Sequence, residues 1–124
     1  MKPRQKPQTA PLRSTCPVAS TLDLVGDKWS LLLVRDLLEG KRTYSELQQS
    51  SEAIPTNILA ERLKRLEAAG VIAKTAYQQH PPRYTYELTR KGAALGEAVL
   101  AIAKWGLHHI PGTVAPEMLS RRLK

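Results

Sequence analysis

The apolar residues of this 124-residue chain change their spacing after Gly70. Before that glycine they recur every three or four positions, as they do on one face of a helix. After it come two short runs rich in β-branched and aromatic residues, VIAKTAY and RYTYEL, which are typical of strands. The helical spacing returns from about residue 90. The chain is therefore expected to form several helices, one two-stranded ribbon and a last helix.

Proline, glycine and capping residues divide the first part of the chain into helices. Pro17 suits a first helical position, where its missing N–H costs nothing, and Asp27 suits the N-cap of a second helix. That helix is expected to end at the glycine of LLEG. The stretch TYSELQQ predicts a short third helix, capped by Thr43 or Ser45 with Glu46 as the partner in a capping box.

A fourth helix is predicted in PTNILAERLKRLEAAG. Its Leu59, Leu63 and Leu66 fall on one stripe at helical spacing and should face the core. A helix, a short turn, a second helix and then a ribbon make a winged helix-turn-helix. The predicted fold class is therefore mainly α with a small antiparallel β-hairpin, with a recognition helix at about 55–69 and a wing at about 71–88.

The exposed side of the recognition helix is predicted to contact double-stranded DNA. A helix in the major groove needs short polar groups near its start, and Asn57 can form two hydrogen bonds to an adenine. Longer basic side chains reach the flanking phosphates. The alternative is an ordinary solvated helix face that carries both charge signs. The predicted contacts are Thr56, Asn57, Ala60, Glu61, Arg62, Lys64 and Arg65.

The predicted ribbon turns at HPPR, and its two prolines cannot adopt the positive φ of common tight hairpin turns. A stiff tip beside Arg83 suits the minor groove, whose negative potential attracts arginine and protonated histidine. The alternative is a surface loop in which the prolines only protect a sheet edge, and this alternative is the better one for His80. The predicted contacts on the wing and the helix-turn-helix flank are His80, Arg83, Arg42, Thr43 and Ser45.

The net charge of +8 is distributed unevenly along the chain. Residues 1–15 hold four basic side chains and no acidic one, and residues 113–124 hold three basic and one acidic. Residues 41–91 carry nine basic and five acidic side chains, whereas residues 14–40 carry two and four. A solvated surface kept for solubility would not explain this clustering. We predict a flexible basic arm (1–15), a folded domain (16–112) and a basic tail (113–124).

The last helix, at about 90–110, is apolar over most of its circumference, which predicts burial on two sides. A small domain supplies one core, so a partner subunit is expected to cover the other side. The alternative is the central helix of a monomer. A two-fold dimer would require a palindromic DNA site. The predicted dimer contacts are Leu95, Ala98, Val99, Ile102 and Trp105.

Other classes of function find little support in the sequence. No apolar run is long enough for a membrane span or a signal peptide, so a cytoplasmic protein is expected. No catalytic constellation, Gly-rich phosphate loop or metal-ligand spacing is present, which argues against an enzyme, a cofactor or a metal. A winged helix that binds only proteins is the second functional candidate, because a fold does not determine a function.

The single cysteine, Cys16, excludes an internal disulfide. It precedes Pro17 at a helix start and follows the basic arm, and both features favour a reactive cysteine. Cys16 is therefore a candidate redox or electrophile sensor. The alternative is a small apolar residue that packs against the dimer helix and is inert because it is buried there.

The chain resembles the HxlR-type family of winged helix-turn-helix regulators, a bacterial branch related to the MarR group. The matching stretches are CPVASTLDLVGDKWSLLLVRDLLEG, YSELQQSSEAIPTNILAERLKRLEAAGVI and HPPRYTYELTRKG, and the resemblance runs from about Cys16 to Ile110. It implies a homodimeric transcription factor with N- and C-terminal dimerisation helices and with the helix from Pro55 in the major groove. Some family members sense oxidants through a cysteine at the position of Cys16, and a small-molecule effector of unidentified chemistry is compatible with the family.

The chain departs from the family pattern at two positions. Pro55 stands where the family commonly has a serine at the start of the recognition helix, so a side-chain cap or phosphate contact is not expected there. Asp27 stands where a second glycine is frequent before Lys28 and Trp29, and we expect this difference to be structurally neutral.

Overall fold

The structure, a computed structural model, describes residues 11–115. Within that range β1 and β2 pair antiparallel, with Ile72 opposite Leu88. The mainly α fold with one small hairpin, predicted from the change in apolar spacing, is confirmed. The elements in chain order are α1 (Pro17–Val25), α2 (Ser30–Leu38), α3 (Tyr44–Gln48), α4 (Thr56–Ala68), β1 (Ile72–Gln79), β2 (Pro82–Leu88), α5 (Arg90–Ala93) and α6 (Gly96–His109).

Capping residues and glycines mark where several of the helices begin and end. The hydroxyl of Thr43 accepts a hydrogen bond from the backbone N–H of Glu46 at 3.1 Å, and the Glu46 carboxylate accepts one from the backbone N–H of Thr43 at 3.0 Å. The predicted capping box is therefore present. Gly40 and Gly70 have φ angles of 103° and 78° after α2 and α4, a conformation that glycine adopts at little cost. Pro55 precedes α4 without a side-chain cap, as expected.

The core is aliphatic and is built around α4. Leu59, Leu63 and Leu66 are at most 3% exposed, which confirms the predicted stripe. Burial of such side chains is the main favourable contribution to folding. The same cluster contains Val25, Leu33, Val34, Leu37, Leu47, Ile54, Val71, Ile72 and Val99.

In the part of the chain that the structure describes, no helix has both the length and the apolar character needed to cross a membrane.

The wing turn is tight, but neither of its two loop residues has the positive φ that the prolines were expected to exclude. The strands pair as far as Gln79 and Pro82, so only His80 and Pro81 form the loop, and the peptide bond between them is cis. Pro82 is the first residue of β2, a position at which a strand tolerates a missing N–H.

The last helix also differs from the prediction, because it is divided in two. α5 ends at Ala93 and α6 begins at Gly96. Between them the N–H of Leu95 bonds to the carbonyl of Gly92 at 3.0 Å, three residues back rather than four. Such a bond tightens the chain locally and is common where a helix ends.

The two predicted tails lie largely outside the described residues, which exclude 1–10 and 116–124. Of the predicted arm, Arg13 is described, and its Nε donates to Asp23 of α1 at 2.9 Å. The conformation of the remaining tail residues stays a prediction.

Candidate nucleic-acid interface

α4 has a polar face on the side opposite its leucine stripe. Residues three and four apart lie on the same face of a helix, so Asn57, Glu61 and Lys64 form one row. Short polar groups at the start of the row and a long cation farther along are the arrangement that the sequence predicted. The exposed residues of this face are Thr56, Asn57, Ala60, Glu61 and Lys64.

α3 holds the start of α4 through two polar side chains. The hydroxyl of Tyr44 donates to the Thr56 carbonyl at 3.1 Å, and the amide of Gln48 donates to the Thr56 hydroxyl at 3.3 Å. Sequence reasoning did not select Tyr44 or Gln48. Their spacing of four residues, which places both on one side of a helix, is the signal that could have identified them.

The start of α3 and the wing lie next to each other. Thr43 forms an isolated β-bridge with Thr85, and the N–H of Tyr86 donates to the Arg42 carbonyl at 2.7 Å. A cavity of about 440 Å³ lies between the two elements. Its lining brings together three of the predicted contacts, Thr43, Ser45 and Arg83, with Tyr44, Tyr77, Pro81, Pro82, Tyr84 and Tyr86.

The cations near this surface are of two kinds. Among residues 11–115, Arg42, Lys64 and Arg83 are exposed and form no ion pair. Arg62 and Arg65 do form ion pairs, and both are only partly exposed. Cations without a carboxylate partner are the ones most readily available to phosphate oxygens.

Arg62 and Arg65 both bind Asp27, which precedes α2. The Nε of Arg62 lies 2.8 Å from Asp27 Oδ2, and Nη2 of Arg65 lies 2.9 Å from Oδ1. The same carboxylate accepts hydrogen bonds from the Ser30 hydroxyl at 2.6 Å and from the backbone N–H groups of Trp29 and Ser30. The expectation that Asp27 is structurally neutral is wrong, because it connects the first turn of α2 to α4. DNA contacts by Arg62 and Arg65 stay predictions.

The Asp27 carboxylate is held in its charged form. Burial by itself would raise the pKa of Asp27, but the hydrogen bonds from Ser30, Arg62 and the backbone lower that pKa well below its usual range. The negative charge is thus retained at neutral pH, where it balances the two guanidinium groups.

Large exposed apolar side chains are concentrated towards the two ends of the described chain. Ile102 and Trp105 on α6 are 56% and 61% exposed, and Ala98 is exposed as well. Leu95 and Val99 pack instead in the core of their own chain, with Val99 only 7% exposed, so the structure does not bring them to the surface with the other predicted dimer contacts. The exposed set comprises Leu12, Val18, Leu22, Ile102, Trp105, Leu107, Ile110 and Val114, with Tyr77 of the wing as the exception.

Comparison with known proteins agrees with this architecture. A family model described as an HxlR-like helix-turn-helix matches residues 24–114. The chain belongs to the HxlR-like helix-turn-helix family. The HTH-type transcriptional regulator YybR of Bacillus subtilis (strain 168), itself uncharacterized, is 34% identical over 102 residues, which are 82% of each chain. The relatives of the present chain are transcriptional regulators and not enzymes.

Solved structures resemble this HxlR-like protein over most of its length. The crystal structure of PA1607 has a TM-score of 0.73 and 38% identity, and the match covers 84% of this chain and 73% of that one. The redox regulator HypR in its oxidized form has a TM-score of 0.69 and 35% identity, and the match covers 76% and 97%.

Cys16 of this HxlR-like protein is exposed at the N-cap of α1. Its backbone N–H donates to the Ser14 hydroxyl at 3.0 Å, and its side chain makes no capping hydrogen bond. The thiol is therefore accessible to reagents in the single chain.

Proposed function

We propose that this protein binds promoter DNA as a homodimer and regulates transcription, with α4 in the major groove and the wing along the adjacent backbone and minor groove. The observation that supports the proposal is the exposed row of Asn57, Glu61 and Lys64 on α4, together with the exposed Arg42 and Arg83, which form no ion pair within residues 11–115. Asn57 would read a base edge, and the cations would bind phosphates. A regulator of this kind acts in the cytoplasm, where bacterial promoter DNA lies.

Two substitutions on the same face of α4 test the division between base and phosphate contacts. Asn57→Ala is expected to reduce discrimination at one A·T pair by about 1–3 kcal/mol, because only a base-edge contact carries sequence information. Lys64→Ala should weaken all duplexes alike and reduce the slope of log K against log salt by about 0.9 for each lost phosphate contact. Fluorescence anisotropy with an operator selected from random duplexes, at several salt concentrations, measures both effects.

Lys104→Ala is the matched control, because Lys104 is an exposed lysine on α6. It should leave both the affinity and the salt slope unchanged. Equal losses on every sequence for Asn57→Ala would contradict its base contact. Absence of salt-dependent duplex binding by the wild-type chain would favour the alternative, a winged helix that binds only proteins.

The homodimer is proposed from the exposed apolar side chains of α1 and α6. Contiguous exposed apolar surface on a small protein usually marks an interaction site, and Ile102 and Trp105 are more than half exposed. Aromatic residues that become buried in an interface often dominate its energy. A second copy of α6 would cover these side chains and place two recognition helices on one face of the duplex.

Trp105→Glu is expected to raise the dimer dissociation constant by about thirtyfold or more, since it removes an aromatic anchor and adds a charge to an apolar surface. Sedimentation equilibrium over a range of protein concentrations measures the constant. Tyr77→Glu is the control, because Tyr77 is also 55% exposed but lies on the wing. A dimer constant unaffected by Trp105→Glu would contradict this interface.

We further propose that Cys16 makes the protein responsive to oxidants. The exposed thiol supports this proposal, and so does the similarity to the redox regulator HypR. Since the chain has one cysteine, a disulfide can form only with a second molecule. Diamide, which takes two electrons and two protons from a pair of thiols, should produce a covalent dimer and change DNA affinity.

Non-reducing electrophoresis and anisotropy after diamide treatment measure the two effects of oxidation. Both should disappear in Cys16→Ser and should reverse on reduction. If diamide leaves the DNA affinity of the wild-type protein unchanged, the sensing role is excluded and the proposed DNA binding is unaffected.

A further inference from the structure

A second cavity, of about 640 Å³, lies between α2 and α6 on the chain. Its volume is in the range of small-molecule sites, which are mostly apolar with a few polar groups. The apolar part of the lining includes Leu31, Leu32, Ile102 and Leu107, and residues 113–115 form one edge. Neither Asn57 nor Arg83 lines it, so it is separate from the proposed DNA-binding surface.

The charged groups of this cavity are three carboxylates, Asp36, Glu39 and Glu52, and two cations, Arg35 and Lys41. Arg35 is already paired with two of these carboxylates, since its Nη2 lies 2.8 Å from Asp36 Oδ1 and 2.7 Å from Glu52 Oε1. The hydrogen bond from Arg35 lowers the pKa of Glu52 to about 2. The cavity therefore has an excess of negative charge, in a protein whose net charge is +8.

Two of these carboxylates have unused hydrogen-bonding capacity. Asp36 is 1% exposed, and its Oδ2 has no hydrogen-bond partner in the part of the chain that the structure describes. The ammonium of Lys41 is 4.0 Å from that oxygen, which is too far for a hydrogen bond. A buried acceptor without a partner is costly, and a charged one is more so.

Glu39 is the second such carboxylate. It is partly buried at the end of α2, and among residues 11–115 its side chain forms neither a hydrogen bond nor an ion pair. Burial raises the pKa of Glu39, and this effect outweighs the opposing charges of Arg35 and Lys41, while the charge of Asp36 acts in the same direction as burial. A positively charged donor beside Glu39 and Asp36 would remove this cost.

We propose that the cavity binds a small amphipathic organic cation, with a protonated amine or amidine against Asp36 and Glu39 and an apolar body against the leucine and isoleucine side chains. An anion is disfavoured, because Arg35 is already paired with two carboxylates and the anion would lie beside Glu39 and the partnerless Oδ2 of Asp36. The cation supplies the hydrogen bond that Lys41 does not complete. Apolar burial between α2 and α6 supplies the remaining affinity.

Benzylamine and benzoate are suitable probes, since they have similar sizes and opposite charges at neutral pH. Titration of the full-length ¹⁵N-labelled chain with benzylamine, without DNA, should shift the amide signals of α2 and α6 and leave those of the wing unchanged. Benzoate should not bind there. Because no DNA is present, the result is independent of the proposed DNA binding.

Glu39→Gln tests the charge with little change in shape and should weaken benzylamine binding by about tenfold or more. Glu87→Gln, an exposed carboxylate on β2, is the matched control and should have no effect. Gly106→Leu tests the cavity itself: Gly106 lines it, and a Cβ there meets no atom within 4 Å, so the larger side chain should block binding in a folded protein.

Three results would overturn the inference. The first is binding of benzoate as tight as that of benzylamine, and the second is benzylamine binding unaffected by Glu39→Gln. The third is a set of α2 and α6 signals that shift with protein concentration but not with benzylamine, which would show that a second copy of the chain fills the cavity.

Discussion

Gly92→Ala is expected to lower the free energy of unfolding by about 3 kcal/mol, as introducing a methyl group into a closely packed site does. A Cβ at position 92 would overlap the backbone carbonyl of Val71 and would lie 3.1 Å from the Leu88 side chain. The carbonyl cannot move away freely, because it accepts a hydrogen bond from the Thr89 N–H at 3.1 Å. Urea unfolding followed by circular dichroism measures the change, and the midpoint of thermal unfolding should fall by roughly 10 °C.

The control for Gly92→Ala is the same substitution at Gly106. Gly106 lies inside α6, and a Cβ there meets no atom within 4 Å. Alanine is favoured over glycine within a helix by about 1 kcal/mol, so Gly106→Ala should be neutral or stabilising. Equal effects of the two substitutions would show that helix propensity, and not the contact with Val71, determines the stability at Gly92.

The elements that depend on neighbouring residues could be predicted from the sequence. The stripe of Leu59, Leu63 and Leu66 and the capping box of Thr43 and Glu46 involve residues at most seven positions apart, so spacing alone identifies them. The winged helix-turn-helix follows from the order of such elements. The exposed polar row of α4 follows as well, because it is the side opposite the leucines.

Contacts between distant residues could not be predicted in this way. Arg62 and Arg65 lie 35 and 38 residues from Asp27, and a basic residue on a helix has the same pattern whether its partner is a phosphate or a carboxylate. Apolar periodicity likewise shows that Val99 is buried but not whether its own core or a partner covers it. The family pattern did contain a signal for Asp27, namely a carboxylate where glycine is frequent.

Asp27→Ala is expected to lower the free energy of unfolding by about 2–4 kcal/mol. The substitution removes the acceptor of the Trp29 and Ser30 backbone N–H groups at the start of α2 and leaves the buried Ser30 hydroxyl without its acceptor. It also leaves Arg65 without a carboxylate and Arg62 with Glu61 alone. Asp27→Asn keeps an acceptor for the backbone N–H groups of α2 and removes only the charge. It should therefore lose less stability than Asp27→Ala, which urea unfolding can measure.

Asp27→Asn should also change DNA binding in a way that a simple loss of stability would not. Arg65 would lose its only carboxylate partner among residues 11–115 and Arg62 would keep Glu61 alone. Each guanidinium group that then binds a phosphate should steepen the dependence of log K on log salt by about 0.9. Discrimination between the selected operator and an unrelated duplex should fall, because phosphate contacts carry no sequence information. Anisotropy titrations of the folded Asp27→Asn variant measure both quantities.

Asp23→Ala is the control for these experiments, since Asp23 also pairs with an arginine, Arg13, but on the exposed surface of α1. Exposed ion pairs contribute little to stability, so neither the unfolding curve nor the salt slope should change. If Asp27→Asn instead has the salt slope of the wild-type protein, Arg62 and Arg65 are not withheld from DNA by Asp27. Their ion pairs would then serve only to fix α4 against α2.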